Sequence, residues 1–297
     1  MASALVVEGG CREVLYPFFD SPCQFPGECA ERGALLFSTH DLAIFEIDRD
    51  DDNALKTRVR FGAGNGGFMF AAFDTELRIY VAGDGGIRTY HASAYSNRLA
   101  FLNLPECAPI GDLAVLDDDT LIVSCEDGAK LMKVDPTAGA VIDLFQCCEG
   151  VSDSFDPVAV VATSNGVVLA GTTRIFAFRA DTGEVIAPVI DAGVAGAETY
   201  DEFVLGPSEQ LYVAANPDIG VLEFSSETYE FVRILVPGGD EGVRNPKGLA
   251  FGADGILYVG SGTDAVIRMF DPATGDPIGD PIVVAERGSI DHIAFQP

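Results

Sequence analysis

One sequence unit recurs along most of the chain, and its clearest copy lies at residues 246–275. This copy reads PKGLAFGADGILYVGSGTDAVIRMFDPATG: a short apolar run, a glycine turn, a second run, an acidic turn and a third run. The unit returns about every 45 residues, a period typical of repeat architectures whose single units cannot bury their own faces. A repeat of this kind constrains the fold strongly and the function only weakly.

Each unit predicts one four-stranded antiparallel sheet. The second run, at 257–260 in the clearest copy, follows a Gly, Asn or Asp turn, and the third run, at 266–270, alternates polar and apolar residues. A fourth, more polar strand closes each unit after a turn such as the one at 135–139. Short strands joined by Gly, Asp and Pro turns are typical of the blades of a β-propeller.

The two ends of the chain decide the predicted number of blades. The run at 291–297 has no continuation, whereas 34–37 is a second run that no first run precedes. We expect these fragments to pair, because pairing closes the ring and removes exposed sheet edges. The sequence therefore predicts an all-β fold, a six-bladed β-propeller of four-stranded antiparallel blades. Seven blades is the alternative, and it requires residues 1–32 to add a strand pair.

The predicted domains are an N-terminal tail at 1–32, packed on the ring, and the propeller at 33–297. The tail contains prolines and cysteines and matches no part of the repeat. The expected blades are 33–62 plus 290–297, 67–104, 110–147, 156–190, 200–236 and 246–285.

The chain is strongly acidic, with 46 Asp and Glu against 18 Lys and Arg and a net charge of −28. A surface of this charge repels phosphate groups, which argues against nucleic acids and anionic membranes as partners. It suits either cations and cationic partners or simply high solubility.

No apolar run approaches the length of a membrane-spanning helix, and residues 1–8 lack the features of a signal peptide. We expect a monomer.

The seven cysteines bear on the compartment in which the protein works, and they leave two alternatives open: disulfides in an oxidising compartment or free thiols in a reducing one. No CxxC pair exists, so a zinc site of the usual spacing is not expected. One disulfide within the tail and another between two neighbouring loops would suit an extracellular or periplasmic protein, whereas free thiols would suit the cytoplasm. Cys125 ends a second run and is expected to be a buried small apolar residue. The other cysteines are Cys11, Cys23 and Cys29 in the tail and Cys107, Cys147 and Cys148 in the loops.

The clearest unit resembles the NHL-repeat and SMP-30/gluconolactonase-like propellers. Their units share a P-x-G-hydrophobic-A segment, then D-G, L-Y-V and V-x-x-F-D. The matching residues here are Pro246, Gly248, Leu249, Ala250, Asp254, Gly255, Leu257, Tyr258, Val259, Ile267, Phe270 and Asp271. The resemblance implies a propeller over 33–297, in a group that includes lactonases, lyases and binding scaffolds. The lactonase pattern of Glu-Gly-Pro before a Trp-containing strand is absent, because the chain has no Trp and its tail reads Glu8-Gly9-Gly10.

The repeat also predicts which side chains meet at the central channel. The innermost strand of each blade lines the channel, so the first residues of the first runs share one mouth. Carboxylates that meet there raise one another's pKa unless a cation lies among them, and a ring of hard oxygens suits Ca²⁺. We therefore expect either a calcium site at Asp156, Asp201 and Asp291 or a water-filled acidic funnel. The aligned pairs are Met69-Phe70, Gly111-Asp112, Asp156-Pro157, Asp201-Glu202, Lys247-Gly248 and Asp291-His292.

Other mouth residues are candidates for ligand binding and catalysis. Asp112, Glu202, Lys247 and Asn245 are the predicted ligand-binding residues. His292 adjoins Asp291, and His40 lies in a loop expected on the same face. A histidine beside a carboxylate can act as a general base near neutral pH, although such a residue is also common as a hydrogen-bonded structural group.

Three functions follow from these observations. The first is a non-enzymatic propeller that binds a small molecule or a protein at the acidic channel face. The second is a hydrolase or lactonase that uses a divalent metal. The third is a metal-free lyase that uses the two channel-face histidines.

Overall fold

The fold is seen in a computed structural model, whose described strands form six four-stranded antiparallel sheets. Each strand pairs with its neighbours in the chain through short turns, as the alternation of apolar runs and turn residues predicts. Short 3₁₀ turns lie at Pro105–Cys107, Val194–Gly196 and Gly239–Glu241. The structure describes residues 35–39, 43–48, 54–60, 70–74, 76–83, 85–91, 94–126, 130–146, 157–225, 227–284 and 289–295.

The strands are named in chain order. The first three are β1 (Leu35–Thr39), β2 (Ala43–Asp48) and β3 (Ala54–Arg60). Blade I consists of β4 (Phe70–Phe73), β5 (Arg78–Gly83), β6 (Gly86–His91) and β7 (Ala94–Asn103). Blade II consists of β8 (Ile110–Val115), β9 (Leu121–Cys125), β10 (Lys130–Asp135) and β11 (Ala140–Gln146). Blade III consists of β12 (Ala159–Ala162), β13 (Val167–Gly171), β14 (Ile175–Arg179) and β15 (Val185–Ile190).

The remaining blades complete the ring. Blade IV consists of β16 (Thr199–Leu205), β17 (Leu211–Asn216), β18 (Gly220–Phe224) and β19 (Phe231–Pro237). Blade V consists of β20 (Pro246–Phe251), β21 (Leu257–Ser261), β22 (Val266–Phe270) and β23 (Ile282–Val283). The last strand is β24 (His292–Phe295).

The sixth sheet is composite and differs in kind from the other five. Its strand order is β24-β1-β2-β3, and β24 pairs antiparallel with β1, with Phe295 opposite Leu35 and His292 opposite Ser38. The prediction that the two ends of the chain pair is therefore confirmed. The predicted number of six blades needs a correction, because only five blades of the structure are made of four consecutive strands. A count of six is reached only when the composite sheet is counted with them. The seven-blade alternative is wrong, since the described strands form no further sheet.

The hydrophobic core lies between neighbouring sheets, because a sheet with two apolar faces must bury both. One cluster joins Tyr80 and Leu104 of blade I to Leu113 and Leu121 of blade II, and another joins Leu169 of blade III to blade IV. A third packs Ile293 of the composite sheet against blade V. Two further clusters pack blade II against blade III and blade IV against blade V, so the core runs from blade I through blade V to the composite sheet. Among the residues the structure describes, no helix has the length and apolar character needed to cross a bilayer.

The inner strands touch one another around the ring in the order β4, β8, β12, β16, β20, β24 and back to β4. Three of them begin with an irregular register against the second strand of their blade. The shift lies between Ile110 and Asp112 in β8, between Tyr200 and Glu202 in β16, and between Pro246 and Leu249 in β20. A β-bulge at such a point re-aims the neighbouring side chains. The bulges therefore set which residues of each inner strand face the channel.

Cys107 and Cys125 form a disulfide, which corrects two predictions. Cys125 is buried as expected, but it is a disulfide partner and not a free apolar residue. The bond joins the 3₁₀ turn before β8 to the end of β9 in the same blade, so Cys107 does not pair with the next loop. Cys11, Cys23, Cys29, Cys147 and Cys148 lie outside the described residues.

Ring closure by β24 leads to a stability prediction. Ile293 is buried within the core between the composite sheet and blade V, so Ile293→Ala should lower the free energy of unfolding by about 2–5 kcal/mol. Val283→Ala is the matched control, because Val283 is 68% exposed on an edge strand and its truncation should cost less than about 0.5 kcal/mol. Urea denaturation followed by circular dichroism measures both. Equal effects in the two variants would contradict a closing role for β24.

Candidate functional site

Two groups of polar side chains lie where the inner strands begin. The inner cluster consists of Asp112, Glu202 and His292, all of them buried. The mouth cluster consists of Asp201, Asn216, Lys247 and Asp291. Asp201 and Asp291 each precede a member of the inner cluster by one residue, so the mouth cluster lies one step closer to the open end of the channel.

His292 joins three parts of the ring. Its Nδ1 lies 2.9 Å from Oε1 of Glu202 in blade IV, and its Nε2 lies 3.0 Å from the carbonyl oxygen of Ala71 in blade I. The ring of Phe70 contacts the imidazole edge-on, with centroids 5.4 Å apart. Because a carbonyl can only accept, Nε2 must carry a hydrogen, and the contact between Nδ1 and Glu202 then holds one further proton. Both ring nitrogens are therefore engaged by the protein itself.

The electrostatics of this pair favour keeping that proton. Burial lowers the pKa of His292, but the charge of Glu202 and the hydrogen bond to it raise the pKa, with a net value of about 9. Burial raises the pKa of Glu202, while the charge of His292 acts in the opposite direction. Both shifts are upward, so the pair retains its shared proton across neutral pH.

Asp112 is the third member of the inner cluster and links blade II to blade III. Its Oδ1 accepts the N–H of Leu113 at 2.7 Å, and its Oδ2 accepts the N–H of Val160 in blade III at 3.0 Å. Burial, followed by the charge of Glu202, raises the pKa of Asp112 to about 8. Burial and the charge of Glu202 therefore favour the neutral form of Asp112 near neutral pH, which leaves Glu202 and His292 as a balanced pair in the centre of an acidic protein.

The mouth cluster contains one ion pair and one carboxylate without a close cation among the described residues. Nζ of Lys247 lies 3.4 Å from Oδ1 of Asp291, which also accepts a hydrogen bond from the hydroxyl of Ser289 at 3.2 Å. Asp201 accepts only neutral donors, namely the hydroxyl of Thr199 at 3.0 Å and Nδ2 of Asn216 at 3.1 Å. Burial and the charge of Asp291 raise the pKa of Asp201, although Thr199, Lys247 and Asn216 oppose this shift.

The structure brings together several of the residues that the sequence proposes for the site. Glu202 and His292 form a pair that the sequence did not predict, since they were assigned to ligand binding and catalysis separately. Asn245 lies at the start of β20, where its N–H donates to Oδ1 of Asp218 at 2.6 Å. His40 and Asp156 lie outside the described residues.

Asn216 is the site residue that the sequence analysis missed. It stands at the end of β17, opposite Thr199, whereas Cys125 and Ser261 occupy the corresponding ends of β9 and β21. An amide in a place where other units have a small side chain is a signal that the repeat alignment could have revealed. The pairing of its amide with Asp201 depends on the bulge in β16, which no local pattern predicts.

A calcium ion would need six to eight oxygen ligands. In the part of the chain that the structure describes, no three His, Cys, Asp or Glu side chains are grouped so that they could hold a metal ion. Lys247 also places a positive charge beside Asp291. The described residues therefore do not fit a calcium site by themselves, and we derive no step through such an ion.

Comparisons with known proteins support the fold. No family model matches the sequence, and no curated protein matches it. The structure is similar to that of a nidogen/laminin complex, with a TM-score of 0.69 and 14% identity over 89% of this chain and 98% of that chain. It is also similar to a protein of unknown function from Bacteroides caccae, with a TM-score of 0.67 and 16% identity over 89% of this chain and 98% of that chain. The similarity to a streptogramin B lyase has a TM-score of 0.59 and 12% identity over 77% of this chain and 73% of that chain. These similarities confirm the propeller fold that the sequence predicts.

The inner cluster leads to a pH prediction. The pKa of His292 is raised from 6.5 to about 9, so the pair stabilises the fold fully below about pH 6.5, and this stabilisation is lost as the pH rises through about 9. Asp112 also makes the fold less stable as the pH rises. Its pKa is raised from 3.8 to about 8, so the folded state holds this proton at pH values at which the unfolded chain has lost it. We therefore expect the melting temperature to fall as the pH increases from 6.5 through 9, as measured by calorimetry.

Glu202→Gln separates this pair from general alkaline effects. The Gln amide can still donate to Nδ1 of His292, but the negative charge is gone, so burial should bring the pKa of His292 below its ordinary value of 6.5. NMR titration of the His292 imidazole in the variant and in the unaltered protein measures this directly. An unchanged His292 titration in the variant would contradict the pairing.

Proposed function

We propose that the protein is a non-enzymatic binding propeller that holds a cationic partner at its acidic channel face. The observation that carries this proposal is the closure of the inner cluster. Both nitrogens of His292 and both oxygens of Asp112 make hydrogen bonds within the protein, and the carboxylate of Glu202 is the partner of His292 Nδ1. Groups used in this way hold the ring together and are not free to transfer protons to a substrate.

The charge of the surface supports a cationic partner. A net charge of −28 attracts positively charged molecules and repels anionic ones, and the attraction is strongest where acidic side chains surround a concave opening. Glu198 and Asp218 are exposed at the ends of strands that meet this opening, close to the mouth cluster. The partner most consistent with this field is a protein segment rich in Arg or Lys.

The solved structures that resemble this chain support the proposal only at the level of fold. One of them is part of a nidogen/laminin complex, so a propeller of this shape can occur in a protein–protein assembly. Another is a lyase, so the same shape also occurs in an enzyme. Fold alone does not choose between these roles, and the choice depends on the residues of the site.

Two enzymatic functions are weaker proposals. A metal-dependent hydrolase would need ligands beyond those of the described residues, with Asp156 as the remaining candidate. A metal-free lyase would need His292 to leave both Glu202 and the carbonyl of Ala71 before it could act as a base. A thermal-shift titration with CaCl₂ and EDTA tests the first, and a search for turnover of lactones and of streptogramin B tests both.

The binding proposal is tested by reversing charge on one face at a time. Glu198→Lys with Glu241→Lys, the latter in the 3₁₀ turn before β20, changes the channel face, whereas Asp181→Lys with Asp276→Lys makes the same change in exposed turns on the opposite face. A fluorescent peptide rich in Arg should bind the unaltered protein in a salt-dependent manner, as measured by anisotropy. The channel-face variant should bind it at least about tenfold more weakly, a loss of about 1.4 kcal/mol.

The opposite-face variant is the control and should keep most of the affinity, because it has the same net charge as the channel-face variant. Equal losses in both variants would mean that binding follows net charge alone and not the channel face. No binding of the basic peptide at low salt would overturn the proposal.

We further propose that the protein works in an extracellular or periplasmic compartment, which the disulfide between Cys107 and Cys125 supports. Alkylation of the folded protein purified from its native host, followed by mass spectrometry, tests this. We expect Cys107 and Cys125 to react only after reduction and unfolding. Labelling of both residues after unfolding without a reductant would show free thiols and contradict the proposal.

A further inference from the structure

Asn216 has an unusual environment in the seam between blades IV and V. It is 6% exposed, and its Nδ2 donates to Oδ2 of Asp201 at 3.1 Å and to the carbonyl of Pro246 at 3.0 Å. The carbonyl of Pro246 can only accept a hydrogen bond, and so can the carboxylate of Asp201 when it is ionised. The amide of Asn216 must therefore turn its nitrogen toward these two groups. The amide oxygen Oδ1 is buried and has no hydrogen-bond partner.

A buried acceptor without a partner destabilises the folded state, so native proteins usually supply it with water or a ligand. Covalent geometry holds Oδ1 about 2 Å from Nδ2, which itself contacts Asp201. The unpaired oxygen of Asn216 and the carboxylate of Asp201 therefore lie in one small region. Both are acceptors, which means that this region is suited to a group with several donors.

The charges of the region restrict that group further. Among the described residues no ion pair of Asp201 is seen; the ammonium of Lys247 lies 3.4 Å from Asp291, and from farther away its charge opposes the rise in the pKa of Asp201 that burial causes. An anion would meet Asp201 and Asp291 and would be repelled. A single water could satisfy Oδ1 of Asn216, but it would leave Lys247, which pairs with Asp291, as the nearby positive charge acting on Asp201.

We propose that this seam is a subsite for a guanidinium group, that is, for an arginine side chain of the partner. A guanidinium carries five N–H donors in a planar fork, so one group can donate to the carboxylate of Asp201 and to Oδ1 of Asn216 at once. Because Oδ1 is closed to solvent, the seam must open locally to admit the group. An ammonium group is a point charge on a flexible stem and matches two separate acceptors less well. This inference rests on the proposed function, since it names the part of the cationic partner that the channel face recognises.

Asp201→Asn is the decisive variant, because it removes the charge while it can keep both neighbouring hydrogen bonds. The new amide oxygen can accept from Nδ2 of Asn216, and the new amide nitrogen can donate to the hydroxyl of Thr199, which is able to accept as well. The variant should therefore fold. Circular dichroism and the melting temperature verify this before any binding measurement.

The experiment compares two labelled peptides of equal length and charge, one with Arg and one with Lys at the basic positions. The unaltered protein should bind the Arg peptide about tenfold more tightly, because hydrogen bonds to charged groups are worth about 1.5–3 kcal/mol. Asp201→Asn should weaken binding of the Arg peptide at least about tenfold and remove most of its advantage over the Lys peptide. Asp181→Asn, on the opposite face, is the control with the same change of charge and should preserve the preference.

The outcomes separate this inference from the binding function itself. If both peptides bind equally, or if Asp201→Asn weakens both peptides to the same extent, the guanidinium subsite is overturned while a cation-binding channel face stands. The same result is expected if a water molecule occupies the place beside Asn216. If neither peptide binds the unaltered protein, the binding function fails together with the subsite.

Discussion

The buried contact among Glu202, His292 and the carbonyl of Ala71 connects the two ends of the repeat. It joins blade IV, the composite sheet and blade I through one imidazole. The two donors of His292 meet two acceptors on different elements, so the contact fixes the position of β24 at the centre as well as through its pairing with β1. A propeller holds together only when its last sheet packs against its first, and here a charged pair supports that packing from within the channel.

This arrangement explains how a chain with a net charge of −28 can place acids at its centre. Two carboxylates that share a dry site repel each other unless one is neutral or a cation lies among them. In the inner cluster both solutions occur, since Asp112 is protonated near neutral pH and His292 balances Glu202. The centre is therefore electrically satisfied, whereas Asp201 and Asn216 at the mouth keep acceptor capacity that the described residues do not use. Binding at the mouth and closure at the centre are two uses of neighbouring residues on the same inner strands.

The sequence predicted a propeller of four-stranded antiparallel blades because the repeat is local, although the number of blades made of consecutive strands had to be corrected. Each blade depends on strand periodicity and turn residues within one stretch of chain, and the pairing of the two ends followed from the incomplete units there. Glu202 and His292 were placed at the mouth by the same alignment, but their direct contact was not predicted. Ninety positions separate the two residues, and their distance depends on how several blades pack around the ring. The disulfide between Cys107 and Cys125 was missed for a related reason, because the alignment treated a strand end and a loop as unrelated places.

The sequence by itself determined a ring of small antiparallel sheets with acids at one mouth, because strand period, turns and alignment are properties of the chain. The tertiary structure alone decided which of those acids are neutral, paired or open. Asp201 and Glu202 are consecutive residues of β16 at the register shift of this strand, yet Asp201 accepts from Asn216 in the seam between blades, whereas Glu202 contacts His292. Burial and contacts across the channel then set their charges, and neither of these can be read from neighbours in sequence.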